Sequence, residues 1–190
     1  MCQFLSLIIT KSGKIYGDGS FDEHERLISD NVKEDPELKD DKEPPRNTFV
    51  RIEIVPIDKD IFNHNIKNWE FKLDENIKPS WFIQEKYEKK CFAILKKVFK
   101  EQFLIGGEYD ELNRDVRFVK NVTIKTLRSQ VGEMRGSSQV GEMWESSRIG
   151  EMWDNTTVNI WSDKIQIKKQ SGGKSVIIKR YLDKVKVDIN

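Results

Sequence analysis

The residues able to do chemistry are few and scattered. Cys2 follows the first methionine, and removal of Met1 before this small residue would leave a thiol beside a free α-amine. In that arrangement the amine serves as base to the nucleophile. His24 lies among carboxylates in Asp22-Glu-His-Glu-Arg26, where an imidazole could assist Cys2 as a base or act as a ligand. His64 falls in Asn63-His-Asn65, an expected loop. Asp18, Ser20 and Asp22 match the first three ligands of a calcium loop. Glu23 replaces the glycine that loop requires, and Ser29 stands where the bidentate Glu belongs, which excludes it. Gly173-Lys174-Ser175 has the form of the end of a phosphate-binding loop. The first glycine of that motif would stand where Lys168 is, and Val176-Ile-Ile178 after it reads as a strand rather than a helix, so a hairpin turn is expected.

Charge offers a second kind of site. Net charge over the 190 residues is only +1, but its placement is uneven. Asp18–Glu43 carries eleven acidic and four basic residues, and Lys164–Lys186 carries eight basic and one acidic. Lys168, Lys169, Lys179 and Arg180 could make phosphate contacts, with Tyr181 as a stacking surface, so nucleic acid is an alternative partner. The absence of a net basic excess argues against it. Two cysteines, Cys2 and Cys91, give neither a disulfide framework nor metal-ligand spacing. With no apolar run of membrane-span length and no signal segment, the expectation is a reduced, cytoplasmic chain with no membrane contact, no metal and no cofactor.

The chain is organised around a nine-residue repeat. Gln130-Val-Gly-Glu-Met-Arg-Gly-Ser-Ser138 is followed by Gln139-Val-Gly-Glu-Met-Trp-Glu-Ser-Ser147 and Arg148-Ile-Gly-Glu-Met-Trp-Asp-Asn-Thr156, then by a degenerate Thr157-Val-Asn-Ile-Trp161. Fixed-period similarity marks a stacked architecture. Nine residues are two and a half helical turns, so helical copies would face alternate sides, and the Gly and Ser content disfavours helix. Nine residues are also too few for a full coil of strands, whereas two copies, about eighteen, suffice. The reading is therefore a β-solenoid or β-roll-like domain. Its interior rows are Val131, Val140, Ile149 and Val158, and Met134, Met143 and Met152 with Trp161 in the same slot. Stepping by nine extends the first row back to Val122 and forward to Ile167, Val176 and Val185. Corners without a regular Asp predict a dry, metal-free coil. Trp144 and Trp153 are expected on one exposed edge as partner anchors, with Arg135 in their slot.

Residues before the repeat read differently. Phe4–Thr10, Ile15-Tyr16, Phe49–Pro56 and Trp69–Leu73 read as strands, with Lys11-Ser-Gly-Lys14 a tight turn. Ser20 is the expected N-cap of a short helix through Glu23 to Ile28. Ser80 is the expected N-cap of one long amphipathic helix with the stripe Ile83, Tyr87, Cys91, Ile94, Leu95 and Val98, stopped at Gly106-Gly107. The expected organisation is an α+β domain over residues 1–110 and the β-repeat domain over 111–190, with a boundary in Gly106–Asp115. The long helix or the last strand is expected to cap one end of the coil.

Two resemblances add to this reading. The opening Met-Cys-Gln-Phe-Leu is similar to the start of class II glutamine amidotransferases, which implies an N-terminal-cysteine amidohydrolase. Their further glycine-flanked and Asn/Asp elements have no counterpart here. Met-Cys-x-Phe-Leu-Ser, Phe49-Val-Arg-Ile-Glu53, Pro79-Ser-Trp-Phe82 and the tandem unit Ser137-Ser-Gln-Val-Gly-Glu-Met143 together resemble uncharacterised proteins of bacteriophages and mobile elements in which repeat number varies. That resemblance implies no catalytic residues. It implies a host-cell setting and a protein that binds a host protein or nucleoprotein, such as a counter-defence factor inhibiting a CRISPR effector. An open coil end would also favour self-association.

Overall fold

The computed structural model describes residues 4–19, 23–39, 48–144, 147–170, 173–180 and 185–189. The chain divides into two compact units, Met1–Phe99 and Lys100–Asn190.

The first unit is built on an antiparallel sheet. Its strands are β1 (Leu5–Thr10), β2 (Ile15–Tyr16), β3 (Phe49–Pro56) and β4 (Trp69–Leu73), in the order β2-β1-β3-β4. All six residues of β1 are buried, so this strand is covered on both faces. One face carries Leu5, Leu7 and Ile9, paired in register with Ile54, Ile52 and Val50. The other carries Ser6 and Ile8 beside Glu53 and Arg51, and Ile8 packs with Leu27 of α1 (His24–Asn31). The helix α2 (Gln84–Gln102) turns Tyr87, Cys91, Leu95, Val98 and Phe99 inward. It opens later than its N-cap signal suggested. Pro79–Phe82 forms a turn closed by Phe82 N–H to the Pro79 carbonyl, so Ser80 caps no helix and Ile83 is exposed. Ser20, the expected cap of α1, lies outside the described residues; Glu23 holds the N-cap position of α1.

The second unit is a two-sheeted β-solenoid of parallel strands. One sheet holds β5 (Phe103–Ile105), β7 (Val116–Lys120), β9 (Gln130–Arg135), β11 (Arg148–Met152) and β13 (Gln166–Gln170). The other holds β6 (Glu108–Leu112), β8 (Thr123–Leu127), β10 (Gln139–Met143), β12 (Thr157–Ile160), β14 (Val176–Lys179) and, antiparallel at its edge, β15 (Lys186–Ile189). The chain alternates between sheets, so nine residues make half a coil. Arg148 lies beside Gln130 and Gln166, and Thr157 lies beside Gln139, each step being one repeat pair long. The first coil starts at Phe103, so the expected boundary in Gly106–Asp115 falls inside it. Gly106 and Gly107, both at positive φ, form the corner between β5 and β6 and do not stop α2, which ends at Gln102.

The interior rows alternate accordingly. Val116, Val131, Ile149 and Ile167 stack in one sheet, and Ile124, Val140, Val158 and Ile177 in the other. Val119, Met134 and Met152 form a third row, and Leu112, Leu127, Met143 and Ile160 a fourth. Every one of these residues except Ile167 is buried. Constant steps of nine hold forward through Val158 and Ile167 and fail before and beyond them, because the coils there differ in length. Ile124 takes the row position expected for Val122, and Ile177 that expected for Val176, while Val185 is exposed. Val122 is buried at a corner instead, its N–H donating to the Ser138 hydroxyl.

Each repeat buries its second and fifth residues, the ends of Val/Ile-Gly-Glu-Met, where a flat strand would bury alternate ones. The intervening glycine makes this possible. A Cβ on Gly132 would lie 2.5 Å from the Arg117 carbonyl oxygen, one on Gly150 the same distance from that of Gly132, and one on Gly141 at 2.8 Å from that of Lys125. The last residue of each unit also turns inward. Ser129, Ser138, Ser147 and Thr156 are all buried, and the Ser129, Ser138 and Ser147 hydroxyls donate to the carbonyls of Leu112, Arg135 and Leu127. The Ser-bearing corners are thus half interior. Gly173-Lys174-Ser175 is another such corner, carrying the chain from one sheet to the other rather than closing a hairpin.

Candidate functional site

Residues that follow the strands of the β8-β10-β12-β14 sheet leave the core and stack on its rim. Arg128 follows β8, Trp144 follows β10, Trp161 follows β12 and Arg180 follows β14. Their backbones stay in the ladder: Trp144 N–H donates to the Leu127 carbonyl and Arg180 N–H to that of Ile160. The Arg128 guanidinium lies 4.2 Å from the Trp144 ring centroid, and that of Arg180 lies 5.6 Å from Trp161. Both arginines are held from behind. Arg128 Nε pairs with Glu111 at 2.9 Å, and Arg180 Nε donates to Asn159 Oδ1 at 3.0 Å. The result is a column in the order Arg-Trp-Trp-Arg. Trp144 is 47% exposed and Trp161 52% exposed, both unusually open for rings of this size.

A hollow of about 340 Å³ lies between Trp144 and Trp161, lined also by Glu142, Met143 and Ser162. A shallower groove of about 450 Å³ runs beside it over Thr123, Thr126, Gln139, Asn159 and Arg180. Trp161 and Glu142 border both. The charges around the face are largely balanced. Lys125 pairs with Asp110 at 2.6 Å, which holds the Asp110 carboxyl below its ordinary range through hydrogen bond and charge. Lys179 pairs with Asp188 at 2.5 Å.

Sequence reasoning placed Trp161 in the Met slot, hence in the core. The fourth unit is one residue short: Val140 aligns with Val158 and Met143 with Ile160, across an irregularity in register. Ile160 fills the interior position and Trp161 becomes the successor of Trp144. The pairs Met143-Trp144 and Ile160-Trp161 carried that signal, had one deletion been allowed.

The expected single edge with Trp144 and Trp153 is corrected. Trp153 follows β11 in the opposite sheet, because one repeat is half a coil. It is only half-buried but well held: Arg135 lies 5.1 Å from its ring, and its Nε1–H donates to Glu151 at 3.0 Å. Arg135 is paired in turn with Glu133. Arg135 and Trp153 are thus together, apart from Trp144. The basic residues of the C-terminal region are divided as well. Lys168 and Lys169 belong to β13 of one sheet, and Lys179 to β14 of the other with Arg180 directly after it, so they make no single basic stripe.

Cys2 lies outside the described residues. His24 is buried on α1, with Nε2 2.9 Å from the Ile52 carbonyl. His64 stacks on Phe99 at 4.0 Å between centroids, and burial lowers its proton affinity. Burial also pushes the Cys91 thiol up to about 12, so it is no nucleophile at neutral pH. Among the described residues no helix is long and apolar enough to cross a membrane. Comparison with protein-family models, with curated proteins and with solved structures gave no match.

Proposed function

We propose that this chain is a non-enzymatic binding protein whose working face is the Arg128-Trp144-Trp161-Arg180 column and the hollow between its rings. The observation that carries the reading is the pair of half-exposed tryptophans, each backed by an arginine that is itself anchored. Aromatic and arginine side chains held in place by neighbours are the residues that dominate protein–protein binding energy. Their arrangement lowers the entropy lost on docking. The partner is a protein surface rather than nucleic acid, since Lys125, Arg128 and Lys179 already face carboxylates and leave no basic excess to track a phosphate backbone. With the resemblance to phage and mobile-element proteins, the reading extends to a host protein as partner and to counter-defence inhibition as the role.

The test compares capture of a host protein by the native chain, by Trp144→Ala/Trp161→Ala and by Trp153→Ala, with far-UV circular dichroism confirming each fold. The double variant should weaken capture by at least about 30-fold, as expected where hot-spot residues cost about 2 kcal/mol or more, while Trp153→Ala should leave it nearly unchanged. Equal capture by the double variant would remove this face from consideration.

A further inference from the structure

We propose that His24, Glu53 and Asp74, in the first unit, form a binding site for a divalent transition-metal ion of the zinc type. The three come from different elements: His24 opens α1, Glu53 lies in β3 and Asp74 directly follows β4. One potential ligand atom from each lies within 4.8 Å of the other two.

Three features separate this group from a chance gathering of acidic side chains. First, the histidine is interior, 2% exposed, and its ring is oriented from outside the cluster. Nε2 lies 2.9 Å from the Ile52 carbonyl oxygen, which can only accept, so Nε2 carries the proton. Nδ1 is then the nitrogen on the side of Asp74, and it is the one that would coordinate, giving up any proton it carries when the metal binds. Metal-ligating histidines are commonly fixed in this way, the distal N–H held by a backbone carbonyl. Ile52 immediately precedes Glu53, so one strand supplies both the orienting carbonyl and a ligand. Second, Nδ1 lies 3.4 Å from Asp74 Oδ2. That is long for a charge-assisted hydrogen bond, about 2.7–2.9 Å, but close to the separation of two ligands around a tetrahedral ion with bonds of about 2.0–2.1 Å. Third, the ion pairs of the neighbouring cations are made with other carboxylates. Arg51, two residues before Glu53 on the same face of β3, pairs with Glu25 at 3.4 Å, and Lys72, opposite Glu53 in register, pairs with Glu70 at 3.3 Å. The backbone fixes the third ligand, Asp74 N–H donating to the Arg51 carbonyl at 2.9 Å.

One imidazole and two carboxylates favour zinc, cobalt or nickel over calcium or magnesium, which take oxygen alone. Asp74 is half-exposed, so water completes the coordination. The competing arrangement is an imidazolium held between carboxylates with no metal, and titration separates the two.

The full chain, stripped with chelator, is titrated with Zn²⁺ by calorimetry and with Co²⁺ by visible absorption. The expected result is one equivalent bound with micromolar or tighter Kd and a d–d band of four- or five-coordinate cobalt. Glu53→Gln/Asp74→Asn, which leaves the buried ring in place, should retain its circular dichroism and lose at least about 30-fold in Zn²⁺ affinity, since even residues that only orient a metal's ligands cost about 10–100-fold. Cys91→Ala should change nothing. Absence of stoichiometric uptake, or equal affinity in the double carboxamide variant, overturns the assignment.

Discussion

Asp35 illustrates how single side chains hold the first unit together. Its carboxylate accepts from the Tyr16 hydroxyl at 2.8 Å, the Lys14 ammonium at 3.1 Å and the Glu37 N–H at 3.1 Å. Burial opposes ionisation of this group. The hydrogen bonds from Tyr16, Lys14 and the Glu37 backbone outweigh it and hold the carboxyl below its ordinary range. A group with a depressed native value binds its proton more weakly folded than unfolded. Its contribution is therefore complete above about pH 4, the unfolded value, and is lost as pH falls through the lower native one. Asp35→Asn should destabilise the chain by about 1.5–3 kcal/mol at neutral pH, the range for hydrogen bonds to a charged group. It should also flatten the acid limb of stability below pH 4. Denaturant unfolding at a series of pH values checks both, and a variant with an unchanged acid limb would show that other carboxylates govern it. At this scale little was legible in the sequence. Asp35-Pro36 has the form of a helix N-cap, which Glu37 N–H completes, but nothing in the sequence points to Tyr16 and Lys14, 19 and 21 residues away. Glu53 and Asp74 likewise meet His24 only through the pairing of β3 with β4.

The strand of the repeat is the element on which the second unit depends. Val-Gly-Glu-Met buries positions one and four by bringing each glycine against the backbone of the coil below. Gly150→Ala would set a methyl group 2.5 Å from the Gly132 carbonyl oxygen, a backbone atom that cannot swing aside. The expected loss is about 1–3 kcal/mol, as for other overpacked positions, measured as a lower denaturation midpoint. Unchanged stability would mean that the strands are not this close. The strands themselves were readable where hydrophobic period and turn chemistry agreed: β3 and β4 have the expected bounds, and β1 starts one residue later than expected. The repeat period gave the coil, since nothing but two nonapeptides closes one. Three features were hidden. β5 and β6 carry no copy of the motif, so the solenoid begins earlier than its repeats. Pro79-Ser80 looks like a helix start but closes a turn. The fourth unit drops one residue, which moves a tryptophan from the expected core to the surface. The first and third are exceptions to a fixed step, and the second is a local turn that the helix-start signal did not separate from a cap.

At the scale of the whole chain, two units of different construction are joined in sequence. One is a small sheet with helices, whose polar strand face carries the His24 cluster. The other is a coil in which similarity between copies becomes alternation between faces. That alternation explains why the rim residues form two separate groups: Trp144 and Trp161 with Arg128 and Arg180 in one sheet, Arg135 and Trp153 in the other. It also explains why the basic residues near the C-terminus, close in sequence, are divided in space. The exposed row Val185, Val187 and Ile189 on and beside the edge strand β15 leaves an apolar margin at the end of its sheet.

The claim that one repeat is half a coil can be tested by cross-linking. In a chain with Cys2 replaced by Ser and Cys91 by Ala, two cysteine pairs are compared under mild oxidation and scored by mobility on non-reducing gels. Adjacent strands in a sheet are about 4.8 Å apart, within reach of a disulfide, and facing sheets about 10 Å apart are not. Trp144→Cys/Trp161→Cys, seventeen residues apart, should join readily, and Trp144→Cys/Trp153→Cys, nine apart, should stay reduced. The reverse outcome would place consecutive copies side by side and contradict both the two-sheeted coil and the binding face built on it.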